Sequence, residues 1–181
     1  MQVLIVFASA TGRTQLMAEA CAEGAAEAGG DVVLRSAADA TDEDLVSADV
    51  VILGSGIHMG GIESSMSVFL ERTSALWMQG KLVAKVGAAF VSGGMGARGG
   101  AELTLLSMLA TLAEHGMLLV PMHNRLEGFG QAGCHWGPVA WTSPRDGAVG
   151  PTVEHLSAAR AHGRFVAECG ARWLRGASEA S

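Results

Sequence analysis

The chain has 181 residues, enough for one α/β domain with a full core. Hydrophobic residues make up 49% and charged residues only 17%, a balance that points to apolar surface buried between subunits. The net charge of −6, with no basic stretch, argues against nucleic acid as a partner, and no apolar run is long enough to span a bilayer. The N-terminus enters a strand directly, without a basic leader, so a cytoplasmic location is expected. Cys21, Cys134 and Cys169 are widely spaced and make neither a disulfide framework nor a zinc motif, so no metal is expected.

Residues 2–8 are β-branched and apolar, the pattern of a central parallel strand buried on both faces. Leu16, Met17, Ala20, Cys21, Gly24 and Ala25 then recur at helical spacing and predict a helix over 13–29, ended by Gly29 and Gly30. A short second strand is expected at 31–35. Residues 37–48 are polar and acidic, a loop with a helical turn started by Thr41 or Asp42. The run from Val50 to Leu53 marks a third strand over 49–54, followed by a loop over 55–61. Met66, Phe69 and Leu70 predict a helix over 62–74. The fourth strand is expected over 81–91, then a glycine loop over 92–100, a helix over 101–115 and a fifth strand over 117–121. Residues 122–150 read as irregular and rich in Gly and Pro, and 152–174 as a last helix. This alternation calls for a doubly wound sheet: α/β, flavodoxin-like, five parallel strands in the order 2-1-3-4-5 with helices on both faces. No repeat or composition shift marks a second domain, so 1–181 reads as one.

Three loops then meet at the carboxyl edge, where ligands of such sheets bind. The first is Ser9-Ala10-Thr11-Gly12-Arg13-Thr14. Its three hydroxyls, one glycine and a following helix N-terminus suit a phosphate. It is neither a Walker A loop nor a dinucleotide turn. The turn resembles the loop with which flavodoxins hold the terminal phosphate of FMN, and on its own it also reads as a hydroxyl-rich helix cap without a ligand. The second loop carries Ile57, His58 and Met59 between glycines, and the third runs Ser92-Gly93-Gly94-Met95-Gly96-Ala97. Gly94 to Gly99 spell Gly-x-Gly-x-x-Gly, but that motif belongs after a first strand, with an acid at the end of the next; the acid at that distance, Glu114, precedes its strand.

Gly54-Ser55-Gly56-Ile57-His58-Met59-Gly60-Gly61, then Met66, Phe69 to Thr73, Leu76-Trp77 and Gly80-Lys81-Leu82, resemble the middle of the WrbA family. So do Ser92 to Gly96, Leu112 to Met117 and Val120-Pro121. These are NAD(P)H:quinone oxidoreductases with a flavodoxin-like fold, FMN and a tetrameric assembly. The resemblance implies FMN bound by Ser9 to Thr14, by Ile57, His58 and Met59, and by Ser92 to Ala97. It implies NAD(P)H as co-substrate, a quinone or similar flat acceptor, and a substrate pocket walled by Trp77; His115 is a candidate there for orienting a substrate, although the family's flavin-side histidine matches the Glu114 position. No catalytic acid or base is required of the chain, since the cofactor carries the chemistry. Met59 and Met95 are expected against the flavin ring, and Trp136 and Trp141 over a flavin or on their own subunit. Three departures from the family stand out: residues 37–48 are shorter, Ile57-His58-Met59 replace a common Thr-Arg-Phe, and Glu114-His115 replace a frequent His-His. The rival reading is a flavodoxin-type carrier of single electrons.

Overall fold

The computed structural model describes residues 1–142 and 150–179. In chain order the elements are β1 (Gln2–Ala8), α1 (Arg13–Glu27), β2 (Asp31–Ser36), α2 (Asp42–Ser47), β3 (Val50–His58), β4 (Gly61–Ile62), α3 (Ser64–Arg72), α4 (Ser74–Met78), β5 (Val86–Gly94), a 3-10 turn (Met95–Ala97), α5 (Arg98–Glu114), β6 (Leu118–Leu119), α6 (Phe129–Ala132), β7 (Gly133–Cys134), β8 (Gly137–Thr142) and α7 (Val153–Glu179). Thr41 starts α2 through a capping box with Asp44, as its hydroxyl and spacing predict.

The sheet runs β2-β1-β3-β5-β8-β7, and every pairing between β1, β2, β3, β5 and β8 is parallel. Alternate residues of each strand feed two cores. Leu4, Val6, Val51, Leu53, Ala89 and Val91 pack under α2 to α5. Val3, Ile5, Val50, Ile52, Ala88 and Phe90 pack under α1 and α7. Gly54 leaves room for the Phe90 ring, since a Cβ there would lie 2.1 Å from its Cζ. The doubly wound fold with helices on both faces is thus as the sequence predicts.

The fifth position differs from expectation. The strand expected at 117–121 shrinks to β6, which pairs with the start of β5 (Val86 with Leu118, Gly87 with Leu119). The end of β5 pairs instead with β8, from Val91 with Val139 to Gly94 with Thr142. Between them the chain leaves the sheet: the Met122 N–H donates to the His135 carbonyl. It returns at Gly137, where a Cβ would sit 2.0 Å from the Ala89 carbonyl oxygen. Part of the segment predicted to be irregular is therefore sheet; Gly137 and Pro138 hid it, because both residues weaken a strand reading. Pro138 precedes the first residue paired with β5, so no donor of that ladder is lost. Among the described residues no helix is long and apolar enough to cross a membrane.

Candidate functional site

The turn between β1 and α1 is built by Gly12, the N-cap of α1, whose φ of 79° is left-handed backbone that costs glycine nothing. Gly12 offers no side-chain acceptor, so the helix N-terminus keeps donors for a ligand. Ser9 accepts one N–H, that of Gln15, at 3.2 Å. Thr14 is buried and turns inward; its hydroxyl lies 2.8 Å from that of Ser92 on β5. This bond ties the first loop to the third. Arg13 donates to the Thr142 hydroxyl at 3.1 Å, and Thr142 donates to the Gly93 carbonyl at 3.3 Å.

These contacts close a cavity of about 150 Å³ at the carboxyl edge. Ala10, Thr11, Arg13 and Thr14 line it from the first loop, Gly56, Ile57 and His58 from the second, Ser92, Gly93 and Gly94 from the third, and Thr142 from β8. The volume is below the roughly 300 Å³ of whole-ligand pockets, so it suits one group of a larger molecule whose remainder spreads over the rim. Hydroxyls, a left-handed glycine and a helix N-terminus are the donor set a phosphate needs, and the residues fit that part of FMN. Ser9 faces a neighbouring cavity of about 200 Å³, with Ser36, Ser65 and the buried Glu63. Burial alone would raise the Glu63 carboxyl, but bonds from the Ser65 hydroxyl and N–H and from Ser64 outweigh it and hold it below its ordinary value.

The second loop is mostly strand. β3 continues to His58 and turns through Met59 and Gly60 into antiparallel β4. Both turn residues have positive φ, 48° and 81°, as a tight two-residue hairpin demands. Met59 therefore stands fully exposed at the hairpin tip and does not line the cavity. Ile57 lines the cavity while most of its side chain serves the core. It is buried in the core under α5, where a Cβ on Gly93 or Gly100 would come within 2.8 Å of it. His58 stays at the rim; a Cβ on Gly56 would lie 3.3 Å from its Nε2 and 3.6 Å from the Thr14 hydroxyl. In the third loop Gly96 and Ala97 belong to the 3-10 turn before α5, beyond the cavity lining, and the Met95 side chain lies outside the described residues.

Trp77 and His115 do come together, but elsewhere. They share a groove of about 260 Å³ with Glu71, Thr73, Ser74 and Thr111. His115 follows the end of α5, and the chain then enters β6 beside Val86, the first residue of β5. The groove is thus at the amino edge. The nine residues of β5 put it about 25 Å from the carboxyl-edge cavity of the same chain. The expected wall of Trp77 over a flavin is not formed within one chain. His115 Nε2 lies 2.9 Å from the Thr73 hydroxyl, while its buried Nδ1 has no partner among the described residues. Burial pushes its pKa below the ordinary imidazole value, the Glu114 charge opposing. Trp136 is exposed beside β7, and Trp141 packs half-buried on β8. Gly56 and Thr142 line the cavity but were not in the expected binding set; the signal for Thr142 was the apolar run Val139-Ala140-Trp141 before it.

A model of the flavodoxin domain matches residues 4–111. The chain belongs to the flavodoxin-domain family. Curated relatives named NAD(P)H dehydrogenase (quinone) agree with the resemblance read from the sequence. The one from Methylocella silvestris is 35% identical over 192 residues, covering 92% of this chain and 96% of the relative. That from Brucella ovis is 33% identical over 196 residues, covering 94% and 98%. Among solved structures, a WrbA-like flavodoxin from Agrobacterium tumefaciens superposes with a TM-score of 0.70 at 24% identity, covering 94% of this chain and 98% of that one. A flavodoxin from the domain Archaea gives 0.71 at 23%, covering 94% and 99%. At those identities the structures speak for the fold alone.

Proposed function

We propose that this protein is an FMN-dependent NAD(P)H:quinone oxidoreductase. The observation that carries the proposal is the meeting of three loops at the carboxyl edge, tied by the Thr14–Ser92 bond around a hydroxyl-lined cavity. The names of relatives that align with more than nine-tenths of the chain support the activity. When bound, FMN would supply a ring that takes a hydride from NAD(P)H and passes two electrons to the acceptor. The chain's own part is to bind and orient. Thr11 and the first turn of α1 would hold the phosphate, with Ser9 beside it accepting the Gln15 N–H, and Thr14 fixes the turn against Ser92. Gly56, Gly93 and Gly94 let backbone approach the ligand closely. The order proposed is ping-pong: NAD(P)⁺ would leave before the quinone enters.

The proposal extends to the whole chain as one domain, in the cytoplasm, assembled as a homo-oligomer, with a tetramer favoured. Two features support the assembly. The Trp77–His115 groove lies at the amino edge, so only a second copy can bring it to a flavin. Trp77, Met78, Leu103, Leu106 and Trp136 are large apolar residues left exposed on the single chain.

Initial rates with NADH and a benzoquinone test the activity. Parallel double-reciprocal lines and FMN released on denaturation are the expected result. A flavin-loaded protein that leaves NADH unoxidised in the presence of quinone would identify a carrier instead.

A further inference from the structure

Arg98 and Arg13 stand on the two faces of one strand end. Trp141 and Thr142 are consecutive residues of β8, paired with Gly93 and Gly94 at the carboxyl edge. Consecutive strand residues point to opposite faces. The Thr142 hydroxyl fixes the Arg13 guanidinium on the α1 side, at 3.1 Å. The Trp141 ring, packed into the core on the α5 side, holds the exposed Arg98 guanidinium over its face, 5.8 Å from the centroid. Arg98 opens α5, whose first turn has no acidic residue. Among the described residues the ion pairs are those of Arg35, Arg160 and Arg172, and none involves Arg98. A cation held by an aromatic face keeps its planar fork of donors in place for an anion.

The chain as a whole carries −6, which repels an anionic ligand, so a guanidinium fixed on Trp141 at the carboxyl end of β8 supplies local attraction. Under the function proposed above, on which this inference rests, the hydroxyl turn accepts the phosphate of the flavin. We infer that Arg98, held on Trp141 and flanked across β8 by Arg13, binds the pyrophosphate of the nicotinamide dinucleotide. Arg98 is then a residue that selects dinucleotide over simpler hydride donors.

The test is calorimetric titration of the FMN-loaded protein with NAD⁺, which binds without turning over, and with nicotinamide riboside, which carries no phosphate. Arg98→Gln is expected to weaken NAD⁺ binding about tenfold, the loss typical of one charge-assisted bond, and to leave the riboside unaffected. Arg98→Lys keeps the charge without the fork and should fall between. Equal NAD⁺ affinity in wild type and Arg98→Gln overturns the inference, as does the absence of NAD⁺ binding to wild type. Weakened FMN binding in Arg98→Gln also overturns it, because the guanidinium would then serve the flavin's phosphate. Arg98-dependent NAD⁺ binding without quinone reduction would uphold the inference and overturn the proposed enzyme. Quinone reduction with the same KM for NADH in both proteins would do the reverse.

Discussion

The hydroxyls of Thr14 and Ser92 bond one another, and both residues are almost fully buried. Replacing Thr14 by Val keeps the shape and leaves the Ser92 hydroxyl without that partner. The expected cost is about 1–3 kcal/mol of stability, the penalty for a buried polar group left unsatisfied. Urea unfolding should show a lower midpoint at unchanged slope, and Thr14→Ser should restore most of the loss. FMN affinity should fall with it, since the turn that holds the phosphate loses its anchor. His115 permits a second check. Burial lowers its pKa and outweighs the opposing Glu114 charge. Its imidazole should therefore carry less charge at pH 6.5 than an ordinary histidine, which is half charged there. A proton NMR titration of its ring signal reads this directly, and Glu114→Gln should push the midpoint lower still.

At the scale of elements, α1 and α7 meet backbone to backbone. A Cβ on Gly24 would lie 1.9 Å from the Arg160 carbonyl oxygen, and one on Gly163 would lie 2.2 Å from that of Cys21. Helix propensity favours alanine over glycine by about 1 kcal/mol, but overpacking a close contact costs about 1–3 kcal/mol. Here the obstruction is backbone, which cannot swing aside, so the steric cost wins. Gly163→Ala is expected to lower the thermal midpoint, whereas alanine at the unobstructed helical Gly176 should not. None of this close packing was legible in the sequence, where Gly24 read only as one more residue of the apolar face. The strands were legible because Val3 to Val6, Val50 to Leu53 and Val86 to Val91 are buried on both sides and carry continuous apolar runs. β8 was not, because a strand that opens on Gly137 and Pro138 looks like a turn until its pairing with β5 is seen.

For the whole molecule, the meeting of the three loops could be read from the order of elements, since every β-to-α turn of such a sheet lies at the carboxyl edge. The same rule placed His115 correctly for anyone who applied it: a residue that ends a returning helix lies at the amino edge. Motif resemblance alone drew Trp77 and His115 to the flavin, because resemblance carries no information on which copy supplies a residue. The long helix α7 adds a property no motif announced. His162 is completely buried on it, with neither ring nitrogen partnered among the described residues. Burial pushes its pKa down to about 4, with the Val120 backbone opposing and His123 adding to the fall. In the unfolded chain the same imidazole titrates near 6.5. The folded state therefore binds fewer protons, and stability is complete above about pH 6.5 and drains away as the pH falls toward 4. The gap, at 1.36 kcal/mol per pH unit, amounts to about 3 kcal/mol, as an order of magnitude. His155 acts in the same sense, its pKa lowered by burial against the Glu154 charge. The lowered carboxyls of Asp44 and Glu63 lose their contribution only as the pH falls below their ordinary values of 3.8 and 4.5. A thermal midpoint that drops between pH 6.5 and 4.5 should accordingly belong to the buried histidines, His155 and His162 on α7 together with His115 after α5. His162→Leu fills a similar volume without a titrating group, so its midpoint should fall less steeply than that of wild type over this range. Equal slopes would mean that His162 binds protons alike in the folded and unfolded chain over this range, and would overturn the assignment.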